Sequence, residues 1–330
     1  MKAVFINNFG PQIDLGLRDV DRPRTPERSE ILVRVKAAGL NRADLLQTRG
    51  NYPPPSGYSP NIPGLEFAGE IAEVGADPGD WKIGDRVFGI TSGESQAEYL
   101  LTHANLVAKI PDNLSFNQAA AIPEAFITAH DALVTQCEIA RGEIVLIHAV
   151  GSGVGLAGLQ IAKALGCSVI GTSRTADKIE RCLDFQLDKG ISIDDPTVFA
   201  EDVLELTGGQ GVDVILDLVG GAYFEQNLAS LAQKGRVILV GLVSGAKAEV
   251  NLGVILRKRA RVIGTVLRSR SDDEKAVATR NFVRDVVPLL STGAIAPNLD
   301  RVFPAADVLA AYEYLESNAS FGKIVLQFNA

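Results

Sequence analysis

The 330-residue sequence predicts an α/β fold, with a parallel sheet wrapped by helices joined to a β-rich part. Hydrophobic residues make up 46% of the chain and aromatics only 6%, with one Trp and one Met. Small and β-branched apolar residues therefore fill the interior, which suits parallel strands packed closely on helices. From about Ala125 onward, short apolar runs alternate with amphipathic stretches, the mark of βαβ units. Before that point the apolar runs are short and divided by Gly, Pro and Asp turns. The length suits about two domains. With 22% charged residues the composition is globular and excludes disorder. The net charge of −8 excludes nucleic acid or an anionic membrane as main partner, since either requires a basic face.

The N-terminal Met1–Ile6 reads as a strand entering at an edge, with no long apolar region of a signal peptide. Ile31–Val35, Ala68–Val74 and Arg86–Ile90 are strands of the β-rich part. Between Gly50 and Gly64 lies a proline-rich loop, GNYPPPSGYSPNIPG, long enough to be a lid or a binding wall. Further on, strands are expected at Ile144–His148, Ser168–Thr172, Val212–Leu216, Val237–Val240 and Val262–Val266. Helices are expected at Gly155–Leu165, Ala176–Leu183, Phe199–Leu206 and Tyr223–Leu231. Ser271 and Glu274 stand at capping-box spacing before another helix. A last helix, about Ala305–Leu315, precedes a final strand over Gly322–Gln327. The basic run Arg257–Arg261 reads as a solvated turn. Cys137, Cys167 and Cys182 show no CxxC spacing and predict small core residues in a reducing, cytoplasmic setting.

The most informative window runs from Ile144 to Gln160, where a buried strand feeds a glycine-rich turn that opens a helix. Gly153-x-Gly155-x-x-Gly158 matches the dinucleotide fingerprint of a Rossmann, doubly wound sheet. Small residues are needed there because the backbone approaches a pyrophosphate whose charge sits on the helix N-terminus. About twenty residues on, an NAD site carries an acid for the ribose 2′-hydroxyl. Here the strand tip offers Thr172 and Ser173, followed by Arg174 and Lys178. Hydroxyls and cations favour a 2′-phosphate, so NADPH is the expected cofactor. Asp177 reads as a first-turn helix residue.

With these motifs the chain resembles the zinc-independent NADPH:quinone oxidoreductases of the medium-chain dehydrogenase/reductase superfamily. The resemblance rests on the spacing of Ala149, Ser152, Gly155 and Gln160, on Asn41-Arg-Ala-Asp44, Gly50-Asn-Tyr52 and Pro63-Gly-Leu-Glu66. It rests also on Gly84-Asp-Arg-Val87, Ala119–Pro123, Asp217-x-Val-Gly220 and Gly322-Lys323. Ala121–Ala125 and Leu267–Arg270 are most similar to the p53-inducible type. The resemblance implies a GroES-like catalytic domain from residues 1–125 and 268–330, an NADP-binding Rossmann domain at 126–267, a cleft between them and a homodimer. It also implies nicotinamide and substrate contacts at Asn41, Tyr52 and Thr128. Ser152, Gly153, Val154, Gly155, Val240, Gly241, Leu242, Leu267, Arg268, Ser269 and Lys323 are the further cofactor contacts it implies.

Two departures matter. Zinc-dependent relatives carry a Cys near the place of Asn41 and a His before Glu66, where this chain has Leu65, so no metal is expected. Ser152 stands where many quinone reductases have Gly, and its hydroxyl either bonds a phosphate oxygen or hinders its approach. Direct hydride transfer to a quinone places charge on a carbonyl oxygen, so the site needs a hydrogen-bond donor. Tyr52 is the first candidate and the Asn41 amide the second; a loop anchor and a strand-end hydrogen bond are their respective alternatives. Two other functions fit the same fold: NADPH-dependent reduction of α,β-unsaturated carbonyls or enoyl thioesters, and an NADPH-binding sensor or structural protein.

Overall fold

The computed structural model describes residues 1–193, 195 and 198–328. The chain divides into two compact units, Met1–Ile127 with Leu267–Ala330, and Thr128–Val266. No helix among the described residues is long and apolar enough to cross a membrane.

The second unit is built on a six-stranded sheet. Its strands lie in the order Lys189–Ser192, Ser168–Ser173, Ile144–Ile147, Val212–Asp217, Leu231–Leu239, Arg261–Gly264. Every pairing is parallel, and the chain order 3-2-1-4-5-6 is that of a doubly wound dinucleotide-binding sheet. The direction of winding reverses between Ile144–Ile147 and Val212–Asp217, so the carboxyl ends of these strands frame the ligand crevice. The helix Gly153–Ala164 lies close on this sheet because Gly158 has no side chain there. A Cβ on Gly158 would stand 2.9 Å from Leu216 Cδ2. A core of Leu146, Ile170, Ile191, Phe199, Val203, Ile215, Leu228 and Val237 fills one layer between sheet and helices.

Three elements here depart from the sequence expectations. The short Lys189–Ser192 buries only Ile191, so its pattern carries no strand signal, yet it pairs with Ser168–Ser173 along its whole length. The basic run is no simple turn. Asn251 caps a helix Leu252–Lys258, Arg259 ends it in the left-handed region at φ 51°, and Arg261 begins the edge strand. Lys258 Nζ donates to the carbonyls of Leu228, Ala229 and Leu231 at 2.6–2.8 Å, around the C-terminal end of the helix Phe224–Ser230. Third, Asp131–Gln136 is a π-helical turn continuing the helix Pro123–His130.

The first unit holds a seven-stranded, mainly antiparallel sheet. Its path is Leu299–Pro304, Lys323–Gln327, Glu30–Gly39, Glu66–Val74, Arg86–Ile90, Val107–Lys109, with Tyr99–His103 also paired to Glu30–Gly39. The C-terminal strand thus lies inside the sheet, parallel to one neighbour and antiparallel to the other. A separate two-stranded ribbon pairs Lys2–Ile6 with Leu15–Asp19. The capping box expected at Ser271 forms, opening the helix Asp272–Asp285. That helix inserts Phe282, whose ring meets Phe88 edge-on with centroids 6.0 Å apart. A short helix, Arg42–Thr48, which the sequence pattern had not signalled, follows the long strand and is capped by Asn41.

Candidate functional site

In the second unit the glycine-rich turn lies at the carboxyl end of Ile144–Ile147. Ser152 is the N-cap of the helix Gly153–Ala164, and its hydroxyl oxygen accepts from Gly155 N–H at 3.1 Å. This side chain does the work of a cap, satisfying one of the orphan donors at the helix start. No hydrogen bond among the described residues uses the N–H groups of Gly153 or Val154. They remain for an anion at a helix N-terminus, where the helix dipole favours negative charge. Gly155 itself has no room for a side chain, since a Cβ would meet Ala149 O at 2.5 Å and Val150 O at 2.7 Å. The turn is a close-packed backbone cradle that fits a dinucleotide pyrophosphate.

At the tip of Ser168–Ser173 the expected residues separate. Thr172 is only 1% exposed and its hydroxyl faces the interior, 2.9 Å from His148 Nδ1. His148 Nε2 lies 2.6 Å from Asn227 Oδ1, and Asn227 Nδ2 donates to Asp217 Oδ2 at 2.9 Å. The amide orientation fixes the protons: His148 donates from Nε2 and accepts the Thr172 hydroxyl proton at Nδ1. Burial holds the His148 pKa below its ordinary value, in keeping with a neutral ring. The other Asp217 oxygen accepts from Val219 and Gly220 N–H at 2.7 and 2.9 Å. This buried chain ties together the carboxyl ends of three parallel strands and the glycine loop after Asp217. Thr172 is therefore a brace of the crevice floor. Ser173 is also buried, and its hydroxyl oxygen accepts from Thr175 N–H. Arg174 is exposed and Lys178 half-buried, at the start of the helix Ala176–Cys182. Val240 and Gly241 are half-buried and Leu242 is exposed, directly after the strand Leu231–Leu239. Thr128, buried within the helix Pro123–His130, begins this unit.

In the first unit the expected residues meet around a buried group of charges that the sequence reading had not identified. Glu66, fully buried, accepts from Lys323 Nζ at 2.5 Å, from Asn41 Nδ2 at 2.9 Å and from Glu124 N–H at 2.9 Å. The Lys323 ammonium also donates to Leu40 O at 2.7 Å and Asn41 Oδ1 at 2.6 Å, so all three of its protons are placed within this group. Asp44, 1% exposed, accepts from Asn41 N–H at 2.8 Å, and burial pushes its carboxyl up to about 6. The Asn41 side chain thus bridges acid and base at the end of the long strand, with one amide proton in the Glu66 bond.

Tyr52 is half-buried in the proline-rich loop. Arg268, itself buried, donates to Tyr52 O at 2.8 Å, to Ser92 O at 2.9 Å and to Gln47 Oε1 at 2.5 Å. Its guanidinium carbon lies 4.9 Å from the Tyr52 ring centroid, a cation–π contact. Gln47 Nε2 holds Pro60 O, and Asn61 Nδ2 holds Ile6 O, each at 2.8 Å. Ser59 N–H donates to Glu94 Oε1 at 2.7 Å. With these ties along its length the loop is a fixed wall. Burial, and then the charge of Glu124, push the Tyr52 phenol above its ordinary pKa, so it stays protonated at neutral pH. Leu267 is buried and Ser269 exposed on either side of Arg268. Of these residues, Glu124 follows an apolar run, and a charged residue at the mouth of such a run is the one signal that could have marked it.

The GroES-like alcohol dehydrogenase domain pattern matches residues 27–112, and the zinc-binding dehydrogenase pattern matches residues 153–282. The chain belongs to the medium-chain dehydrogenase/reductase superfamily. It is 33% identical over 332 residues to the quinone oxidoreductase of Salmonella typhimurium, covering 98% of each chain. Among solved structures, a mycobacterial protein complexed with NADPH is 32% identical with a TM-score of 0.87, covering 99% of each chain. The CurK enoyl reductase is 27% identical with a TM-score of 0.87, also covering 99% of each chain. The protein is an oxidoreductase of this superfamily, with a nicotinamide cofactor and a small-molecule substrate.

Proposed function

We propose that the protein reduces quinones with NADPH and without a metal. One observation carries the reading: a protonated phenol, Tyr52, is held on a fixed wall by Arg268. Such a donor suits an acceptor whose carbonyl oxygen becomes negative when hydride arrives. The likeness to a quinone oxidoreductase supports the same substrate class. The cofactor, when bound, supplies the hydride. The N–H groups of Gly153 and Val154 would hold its pyrophosphate, capped beside them by Ser152. Arg174 and Lys178 would meet a 2′-phosphate, at a strand tip that offers no carboxylate. Val240, Gly241, Leu242, Leu267 and Ser269 are proposed as further contacts, and Thr128 and Asn41 as neighbours of the nicotinamide and substrate. Arg268 and Lys323 act on the cofactor side by fixing Tyr52 and Asn41 in place.

The donor chemistry supports metal independence. Glu66 is met by an ammonium and an amide, and among the described residues no group of three His, Cys, Asp or Glu could hold a metal ion. A homodimer is part of the proposal. Arg261–Gly264 is an edge strand with Val262 exposed, and Leu252 and Leu256 stand out on the preceding helix. Open apolar edges of this kind favour pairing with a second copy. Three unpaired cysteines fit a cytoplasmic location. The likeness to CurK supports a second reading, reduction of enoyl thioesters or enals.

The test is NADPH and NADH oxidation with ortho- and para-quinones, enals and enoyl thioesters. Tyr52→Phe lowers kcat for quinones about 100-fold at unchanged NADPH KM. Arg174→Ala or Lys178→Ala raises the NADPH KM about 10-fold and leaves NADH nearly unaffected. Equal effects on both cofactors would refute the 2′-phosphate assignment, and faster turnover of enoyl thioesters than of any quinone would favour the second reading.

A further inference from the structure

The charges around the Glu124 carboxyl do not balance. Glu66 and Asp44 act on it together with Lys323 and Arg268, so three acids face two bases there. Glu66 is satisfied by three donors, and Asp44 Oδ2 by the N–H of Asn41, while Asp44 Oδ1 is buried without a partner. No hydrogen bond or ion pair among the described residues engages the carboxyl group of Glu124; only its backbone N–H is used, by Glu66. Glu66 and Asp44 are buried, whereas Glu124 is half-buried and reaches solvent. With its carboxyl unengaged and within reach of solvent, Glu124 is the member of the group that can give up a proton and take one back.

Resting on the quinone reductase reading, we propose that Glu124 is the acid of this site, giving its carboxyl proton to the reduced acceptor. A quinone that has taken hydride from a reduced nicotinamide carries two new electrons and an oxyanion. The Glu124 O–H bond breaks, an O–H bond forms on that oxygen to complete the hydroquinone, and water returns a proton to the carboxylate. The nicotinamide is oxidised, the quinone reduced, and one proton is consumed from solvent per turnover.

The surroundings divide the labour between Glu124 and Tyr52. Burial first, then the negative charge of Glu66, push Glu124 up to about 8, while Lys323 and Arg268 oppose the rise. Asp44 adds to it. Its position in the first turn of the helix Pro123–His130 keeps the anion accessible once the proton has left. A group titrating near the working pH is the better general acid. The Tyr52 phenol, raised above its ordinary value, hydrogen-bonds the oxygen and keeps its own proton. Both groups are raised and Glu124 stays the more acidic of the two, so it is the one that parts with its proton.

The experiment uses the full-length chain. In difference infrared spectra with labelled glutamate, a protonated carboxyl signal is present at neutral pH, disappears as pH rises through about 8, and is missing in Glu124→Gln. With a para-quinone and NADPH, wild-type kcat falls through the same pH range. Glu124→Gln lowers kcat about 100-fold at neutral pH and loses that pH limb, with NADPH affinity by fluorescence unchanged. Glu124→Asp restores part of the rate and brings the limb back. An absent wild-type signal overturns the proposal, as does a Glu124→Gln enzyme with the wild-type pH profile. If Glu124→Gln does not fold, the wild-type infrared titration and Glu124→Asp profile decide. A wild type that ignores every quinone would instead refute the function proposed above, and the infrared titration would still stand apart from that result.

Discussion

Replacing Lys323 by Met tests the ion pair on which the first unit is built. Met keeps the apolar stem and removes the ammonium, so Glu66, Leu40 O and Asn41 Oδ1 each lose a donor at once. Glu66 is fully buried and the Lys323 side chain nearly so, which leaves no water to replace the bond. Removing one partner of such a pair costs about 3–5 kcal/mol, because the other charge stays buried without compensation. In a unit of this size that lowers Tm by roughly 6–20 °C. Trp81 is the one tryptophan in the chain, and its indole N–H donates to Ala104 O at 3.0 Å inside this unit. Its fluorescence therefore follows the melting of the first unit alone. Pairing Lys323→Met with Glu66→Gln removes the stranded charge and recovers most of the loss in a double-mutant cycle. A Lys323→Met protein melting within about 2 °C of wild type, the range of a surface change, would refute the reasoning. So would a double variant no more stable than the single one.

Gly155→Ala drives a Cβ against two backbone carbonyls at 2.5 and 2.7 Å, so the turn must open. Expected is a stability loss of about 1–3 kcal/mol by chemical denaturation, with a weaker thermal shift on adding NADPH. His148 carries a pH dependence of known sign. Its folded pKa is held below the unfolded value of about 6.5 by burial, so the unfolded chain binds the extra proton. Stability of the second unit is complete above about pH 6.5 and declines as pH falls below it. Exchange protection of the Ile144–Ile147 amides, corrected for intrinsic rates, reports this decline, and His148→Gln flattens it.

Local patterns were readable from the chain and distant pairings were not. The strand, turn and helix from Ile144 to Ala164 declare themselves because each signal lies within a few residues of the next. The capping box at Ser271 is equally local. Thr172 and His148 stand on neighbouring strands, and only the parallel register brings their hydroxyl and ring together. From the sequence Thr172 reads as a strand-tip hydroxyl suited to a 2′-phosphate, because alternation along one strand says nothing of the neighbour. The partnership of Lys323 with Asn41 spans 282 positions, beyond any periodicity. Glu124 has its character from helix, strand and loop at once, so the residue type alone told nothing. The helix Leu252–Lys258 was hidden by its own basic end, although Asn251 is an ordinary N-cap.

The interior place of the C-terminal strand bears on how the chain emerges from the ribosome. Residues 128–266 form a continuous stretch that can close as soon as it is made. The sheet of the first unit stays open until Lys323–Gln327 arrives to pair with Glu30–Gly39. At about 5–20 residues per second, Asn41 waits roughly 15–55 s for the lysine that will bind it, 282 positions later. Throughout synthesis the nascent N-terminal part carries an unmatched strand edge and an acid destined for burial. A chaperone that shields that edge until Lys323–Gln327 is made would raise the yield of native protein, and a stop codon before Lys323 would leave a closed second unit attached to an unfinished first one.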